Sequence, residues 1–392
     1  MASPFEPTDF VRKVPQTLLR EYCKRHGLLV DFVWDDSRHV DEYKVLSALR
    51  MAGDAARRAA FADFRAIWDR HGRGFTRGLL NEANFHRDTN AHETLKKLPH
   101  LGTALWAALE RPDWIANAAI LSDVDSLPQG AWLKRKNLPA RPGPVDQEMI
   151  ERLEIELVDY FTKREYRGRN CKIDCLRHGE DEIFFTYAED HPDTDLLWHE
   201  GHLKPQVLNR PFRLIFRHND ARRSLDIHLE GSRNVVPDLQ VIFARTILGE
   251  EIPRTSSKDQ QIYAIEEILS PGFQLSFPDE LGIADARVTK MRFRLAGEPW
   301  RRFTAEADVT SDRGALDEFV SNLTQRLPSS RLQLDQVCIA VKFHRRPGDR
   351  RAPSRQVFIT HPNSLRFKHD ELGESIVQML ALSGIERSSG EA

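Results

Sequence analysis

The chain has 392 residues, of which 40% are hydrophobic and 30% charged, and its formal net charge is −2. This composition excludes extended disorder and supplies no bulk positive charge, so a nucleic-acid binder of this kind has to collect its basic residues on one face. No stretch approaches the ~20 apolar residues of a membrane-spanning helix. The first residues lack an apolar secretory segment, and the four cysteines are scattered. We therefore expect a cytoplasmic protein of two or three domains, with no membrane partner and no cofactor.

Residues 1–127 predict a helical domain, because their apolar residues recur at helical spacing. A first helix is expected to start at Thr8 or Asp9 and to continue to Tyr22. Further helices are predicted from residue 43, over 55–71, over 95–109 and from residue 114 onward.

Residues 128–145 are rich in proline and contain Lys134, Arg135, Lys136 and Arg141. This composition predicts a linker or an exposed basic loop. A helix is expected to follow from Asp146 to Phe161.

Beyond residue 170 the apolar pattern changes to a period of two, which predicts strands. Four β-hairpins are expected, with strands at 170–177 and 182–188, 212–217 and 224–229, 287–295 and 300–308, and 336–344 and 355–361. The last three are followed by predicted helices at 235–248, 314–327 and 371–382. The order strand, turn, strand, helix thus occurs three times, either as a duplicated unit or as an ordinary antiparallel arrangement.

These elements predict an α+β fold, in which a helical domain is followed by antiparallel hairpin and helix units. The expected divisions are 1–127, 128–145, 146–250 and 251–392. Helices packed on one face of an antiparallel sheet leave the other face free for a partner.

Basic residues concentrate around the last predicted hairpin turn, at Arg345, Arg346, Arg350, Arg351 and Arg355. Two more, Arg167 and Arg169, precede the first hairpin, and Lys134, Arg135 and Lys136 lie in the predicted linker. Arginine suits bidentate contact with phosphate, so these residues are candidate contacts to DNA or RNA. Alternatively, charged turns serve solubility and protect sheet edges.

A second candidate site is the motif Arg87-x-x-x-x-His92, which resembles the catalytic motif of HEPN-type ribonucleases. In such a site a histidine handles the proton of the ribose 2′-hydroxyl, and an arginine stabilises negative charge on the phosphate. The alternative is a helix start capped by Asp88 or Thr89.

A third candidate is a metal site formed by His191, His199 and His202 in the segment HPDTDLLWHEGH. This segment lacks the two histidines four residues apart that place both ligands on one helix face. The alternative interpretation is a solvated connection between strands.

Four segments resemble a family of uncharacterised bacterial proteins that often occur on mobile or accessory genomic regions. They are LPQGAWLKRKNLP at 127–139, FFTYAEDHPDT at 184–194, LEGSRNVVPDLQVIFARTILG at 229–249 and HPNSLRFK at 361–368. The resemblance implies a role in genome defence or element maintenance and supplies no catalytic residues. We therefore expect an accessory protein without enzymatic activity that binds nucleic acid, or a protein encoded by a neighbouring gene, through its hairpin turns. The alternatives are a ribonuclease using Arg87 and His92, and a structural subunit of a multiprotein system.

Overall fold

A computed structural model describes residues 4–34, 41–127, 132–178, 180–256, 260–270, 272–308, 312, 314–326, 332–345, 351–367 and 371–387. The chain forms two compact units, Met1–Ser126 and Leu127–Ala392.

The first unit is helical throughout its described secondary structure, as the sequence predicts. Its helices are α1 (Pro7–Lys13), α2 (Gln16–Arg25), α3 (Glu42–Met51), α4 (Asp54–Arg70), α5 (Arg73–Phe85), α6 (Thr89–Lys97), α7 (His100–Glu110) and α8 (Ile115–Ser126). The single helix expected up to Tyr22 is in fact α1 and α2. It is interrupted because Pro15 has no amide hydrogen to donate and holds Val14 in an extended conformation.

The core of the first unit includes a stacked pair, Phe10 and Phe64, whose ring centroids lie 4.5 Å apart. Helices α5 and α8 approach each other closely because α5 presents glycines at the contact. A Cβ atom on Gly78 would lie 2.8 Å from both the Cα and the carbonyl oxygen of Ala118.

The second unit contains both helices and antiparallel strands, which confirms the predicted α+β class. Its elements are β1 (Trp132–Arg135), α9 (Gln147–Glu165), β2 (Cys171–His178), β3 (Asp181–Glu189), β4 (Asp193–His199), β5 (His202–Leu208), β6 (Pro211–Asn219), β7 (Ser224–Leu229), α10 (Val236–Phe243), β8 (Ile283–Leu295), β9 (Glu298–Glu306), α11 (Ala315–Arg326), β10 (Leu332–Phe343), β11 (Ser354–Thr360), β12 (Ser364–Arg366) and α12 (Glu371–Leu382).

The first sheet has the strand order β1-β7-β6-β3-β2, and α9 and α10 cover one of its faces. Aromatic rings fill this core; for example, Phe216 stacks on Phe243 with centroids 5.1 Å apart. The sheet is buried on its other face too, where Phe185 and Ile215 lie side by side. Strand β1 pairs with β7, so the prediction of a linker over 128–145 is wrong for Trp132–Arg135.

The second sheet has the order β12-β11-β10-β8-β9. Alternate residues of β10, including Val337, Ile339 and Val341, point to a core that α11 and α12 complete through residues such as Leu316 and Ile376. We call this the inner face and the opposite side the outer face.

Strands β4 and β5 form a two-stranded ribbon of their own, in a segment that the sequence predicts as a connection. Its turn consists of Glu200 and Gly201, whose φ angles of 51° and 79° are typical of the two-residue turns that join tightly paired strands.

Candidate nucleic-acid interface

The outer face of the second sheet consists of polar and basic side chains that cross the strands in rows. One row runs Arg366, Phe358, Cys338, Lys290 and Glu306 from β12 to β9. A parallel row carries Ser364, Thr360, Gln336, Arg292 and Thr304. Side chains alternate between the faces of a strand, so the apolar pattern that builds the inner face also places these residues together outside.

Most outer-face side chains are exposed or half-buried, and only the central Cys338 of these rows is buried. The sequence predicts that helices cover one face of a sheet and leave the other free. The second sheet has this property, because its helices pack on the inner face and its outer face carries exposed polar side chains. The sequence does not reveal which of the two sheets has this property, because that depends on what packs against each face.

The outer face carries an excess of positive charge among the residues that the structure describes. Its acidic members are Asp285, Glu306 and the buried Asp335. Its basic members are seven: Arg287, Lys290, Arg292, Arg294, Arg302, Lys342 and Arg366.

The three carboxylates are used in local ion pairs. Arg292 Nη2 lies 2.6 Å from Asp335 Oδ2, and Lys290 Nζ lies 2.7 Å from Glu306 Oε2. The third pair, Arg287 Nε and Asp285 Oδ2, is 2.9 Å apart. Since three acids cannot neutralise seven bases, the described strand positions of this face carry a net charge of four positive units at neutral pH, which attracts polyanions.

An aromatic ring lies within this basic surface. Phe358 is half-buried on β11, and the guanidinium carbon of Arg366 lies over its ring at 6.0 Å from the centroid. A ring and a guanidinium plane side by side provide two surfaces on which a nucleobase can stack.

The residues that flank the predicted arginine-rich turn lie at the end of this face where Lys342 pairs with Ser354. Arg345 and Arg351 are both exposed there, whereas Arg346 and Arg350 lie outside the described residues. The structure corrects the expectation that Arg355 belongs to the same basic surface. Arg355 pairs with Val341 and lies on the inner face, where it is half-buried.

The basic residues of the predicted linker are also corrected. Lys134 and Lys136 are both paired with the buried carboxylate of Glu386, at 3.3 Å and 2.8 Å from its Oε1. Arg135 is buried and donates to the carbonyl oxygen of Pro253 at 2.9 Å. These three side chains stabilise the interior of the second unit and are not accessible to phosphate.

Charge complementarity in this buried cluster is visible in its pKa shifts. Burial lowers the pKa of Lys134, but Asp226 and other neighbouring groups raise it to well above its usual range. Burial raises the pKa of Glu386, yet Lys134 and Lys136 outweigh that effect and lower it. The charged forms of Lys134 and Glu386 are thus favoured, whereas burial lowers the pKa of Lys136 despite the opposing effect of Glu386.

Arg167 is likewise used internally. Its guanidinium lies 3.7 Å from the ring centroid of Phe212 and 3.0 Å from Asp190 Oδ1. Arg169, two residues on, is exposed but lies in the loop before β2, on the first sheet. The three basic clusters predicted from the sequence therefore do not lie together on one surface.

The Arg87 and His92 motif lies at the start of α6. Arg87 is exposed with a φ of 54°, and His92 is half-buried within the helix. Asp88 caps α6 by accepting from the Ala91 amide at 2.9 Å, and it also pairs with Arg111 at 2.5 Å. The capping alternative is thus confirmed, and ribonuclease activity stays a prediction.

The three predicted metal ligands are exposed on or near the ribbon. His199 and His202 pair directly across its turn, and His191 precedes β4. In the described parts of the chain no group of three or more His, Cys, Asp or Glu side chains is arranged to hold a metal ion. The histidine cluster that the sequence predicts is therefore not formed.

Among the helices that the structure describes, none is long and apolar enough to cross a membrane. No protein-family model matches the chain, and no curated protein matches it in sequence. The resemblance to bacterial accessory proteins therefore stays a prediction, and function has to be argued from the molecule's own surfaces.

Proposed function

We propose that this protein is a nucleic-acid-binding protein, and that it holds single-stranded DNA or RNA on the outer face of its second sheet. The observation that carries this proposal is the excess of basic side chains on a half-exposed sheet face whose opposite side is covered by helices. Such a face neutralises backbone phosphates, which supplies most of the affinity of non-specific binding.

Three features favour a single strand over a duplex. The face is a broad sheet rather than a helix or ribbon that enters the major groove. Phe358 and Arg366 offer planar surfaces to bases that are not already paired. Gln336 Nε2 donates to Thr360 Oγ1 at 2.7 Å, and both side chains lie between the basic residues. Their remaining donor and acceptor positions can bind base edges or the RNA 2′-hydroxyl.

The exposed Arg345 and Arg351 extend the basic surface beyond one end of the sheet. They lengthen the path along which a strand can be bound, so these two arginines of the predicted turn contribute to the same surface. A role in genome defence or mobile-element maintenance is compatible with such binding and is part of this proposal only as a context.

The proposal is tested by fluorescence anisotropy with labelled single strands of about 20 nucleotides over a range of salt concentrations. Phe358→Ala removes the stacking surface and is expected to weaken binding by roughly tenfold. The double variant Lys342→Ala/Arg366→Ala removes two phosphate contacts, so the slope of log K against log salt should fall by about 1.4.

The matched control is Arg245→Ala/Arg254→Ala, which removes the same charge from exposed positions elsewhere in the second unit. Its affinity should stay within about twofold of wild type if the location of the charge matters. Wild-type protein that binds no single strand at low salt, or equal losses in both double variants, would overturn the proposal.

A further inference from the structure

The ribbon of β4 and β5 has two chemically different faces. Its strand register places Leu196 opposite Pro205, Trp198 opposite Leu203 and Thr194 opposite Val207. These six side chains share one face, which we call the apolar ribbon face. The other face carries the charged and imidazole groups Asp195, Lys204, His199 and His202.

The apolar ribbon face is exposed along its whole length. Trp198 is 75% exposed, Val207 69%, Leu196 59% and Leu203 50%. An apolar patch of this kind is as large as the largest patch of a typical monomeric protein, and such patches often have a binding function.

The ribbon is also incomplete as a unit of structure. A two-stranded hairpin is only marginally stable in water, and it becomes stable when further strands or another layer cover its apolar face. The missing layer must be apolar and of about the same length as the ribbon.

We infer that the apolar ribbon face binds the same face of a second copy of this chain, as a symmetric dimer. In a contact with twofold symmetry, the apolar ribbon face of one copy packs against the apolar ribbon face of the other. Because this face carries no charged residue, the two packed faces do not repel each other. The exposed parts of its large side chains amount to on the order of 500 Å² per copy. Two copies together bury on the order of 1,000 Å², which is the lower limit of a biological interface and corresponds to a weak dimer.

An exposed tryptophan is also typical of surfaces that bind lipid or nucleic acid, and the charge of the ribbon argues against both. Asp193, Asp195 and Glu200 outnumber Lys204 on the ribbon, and Arg210, which follows β5, pairs with Asp195 at 2.6 Å. The ribbon therefore has no cluster of basic groups to attract anionic lipid or nucleic acid. Asp193, Asp195 and Lys204 lie on the face opposite the apolar ribbon face, so they are directed away from a second copy bound there.

The test is the oligomeric state of the full chain in sedimentation equilibrium, with variants paired by ribbon face. Leu196→Asp lies on the apolar ribbon face, and Leu197→Asp makes the same change one residue on, on the opposite face. We expect a wild-type dimer at roughly 100 µM, a dissociation constant raised at least ~100-fold by Leu196→Asp, and one changed less than ~3-fold by Leu197→Asp.

A second pair on β5 guards against local unfolding in the first. Val207→Asp should dissociate the dimer, whereas Gln206→Asp, which points to the other side, should not. A monomeric wild type at that concentration would overturn the inference, as would equal effects of the two members of either pair. The assay contains no nucleic acid, so its failure is distinct from failure of the proposed function.

Discussion

At the scale of single residues, lysine and arginine occupy two environments that the local sequence does not distinguish. Lys134 and Lys136 stand in a stretch whose composition is that of a loop, yet both contact Glu386, about 250 residues further along the chain. Arg345 and Arg351 look no different in sequence and are exposed. Composition reports how many charges there are, whereas accessibility depends on partners brought in by the fold.

The buried cluster predicts a large effect of removing its carboxylate. Glu386→Gln removes the carboxylate 2.8 Å from Lys136 Nζ and leaves Lys134 with Asp226 at 4.0 Å, so the buried positive charge is under-compensated. This should lower the free energy of unfolding by about 3–5 kcal/mol. Urea unfolding followed by circular dichroism measures this loss.

The control is Glu266→Gln, whose partner Arg387 is at the surface. Exposed ion pairs contribute little, so the change should be below about 1 kcal/mol. A Glu386→Gln protein as stable as the Glu266→Gln protein would show that the cluster is not stabilising.

At the scale of elements, most of the fold follows from periodicity. All four predicted hairpins are present, and helix α12 has the bounds 371–382 that its pattern indicates. The ribbon is missed because leucine and tryptophan adjoin one another at Leu196, Leu197 and Trp198, which hides the alternation. Its turn also begins with glutamate in a left-handed conformation, a signal that sequence rules assign to asparagine or glycine.

The outer face illustrates a different limit. Its residues are predicted to be in strands, and their alternation is visible in the sequence, but the register between strands decides which basic residues become neighbours. Phe358 and Arg366 adjoin because β11 pairs with β12 at that position. Pairing between strands is a tertiary property, so the candidate site could not be assembled from the sequence.

Helix packing in the first unit yields a prediction at this scale. Gly78 of α5 abuts the backbone of Ala118 in α8, so Gly78→Val has to separate the two helices. Although valine has the better helix propensity, the overpacking should dominate and destabilise the unit by about 1–3 kcal/mol.

Gly53 serves as the comparison, because a Cβ atom there meets nothing within 4 Å. Gly53→Ala should change the free energy of unfolding by less than about 1 kcal/mol. If thermal denaturation shows the two variants to be alike, the close approach of α5 and α8 is not a constraint on the packing.

At the scale of the whole molecule, each hydrophobic core belongs to one unit. The core around Phe10 and Phe64 contains only residues of Met1–Ser126, and the cores of the two sheets contain only residues of Leu127–Ala392. A unit with its own core and about a hundred residues has the means to fold by itself. The outer face and the ribbon both belong to the second unit, so both proposed binding surfaces are assigned to one part of the chain.

A fragment ending at Ser126 is therefore expected to be helical and to unfold cooperatively in urea, with a denaturant slope of about 1–3 kcal/mol/M. Far-ultraviolet circular dichroism and urea titration measure both properties. The complementary fragment from Leu127 should bind single strands within about threefold of the full chain, because every residue of the outer face is retained. A non-cooperative first fragment would show that its core needs the rest of the chain, and loss of binding by a folded second fragment would place an essential contact in the helical unit.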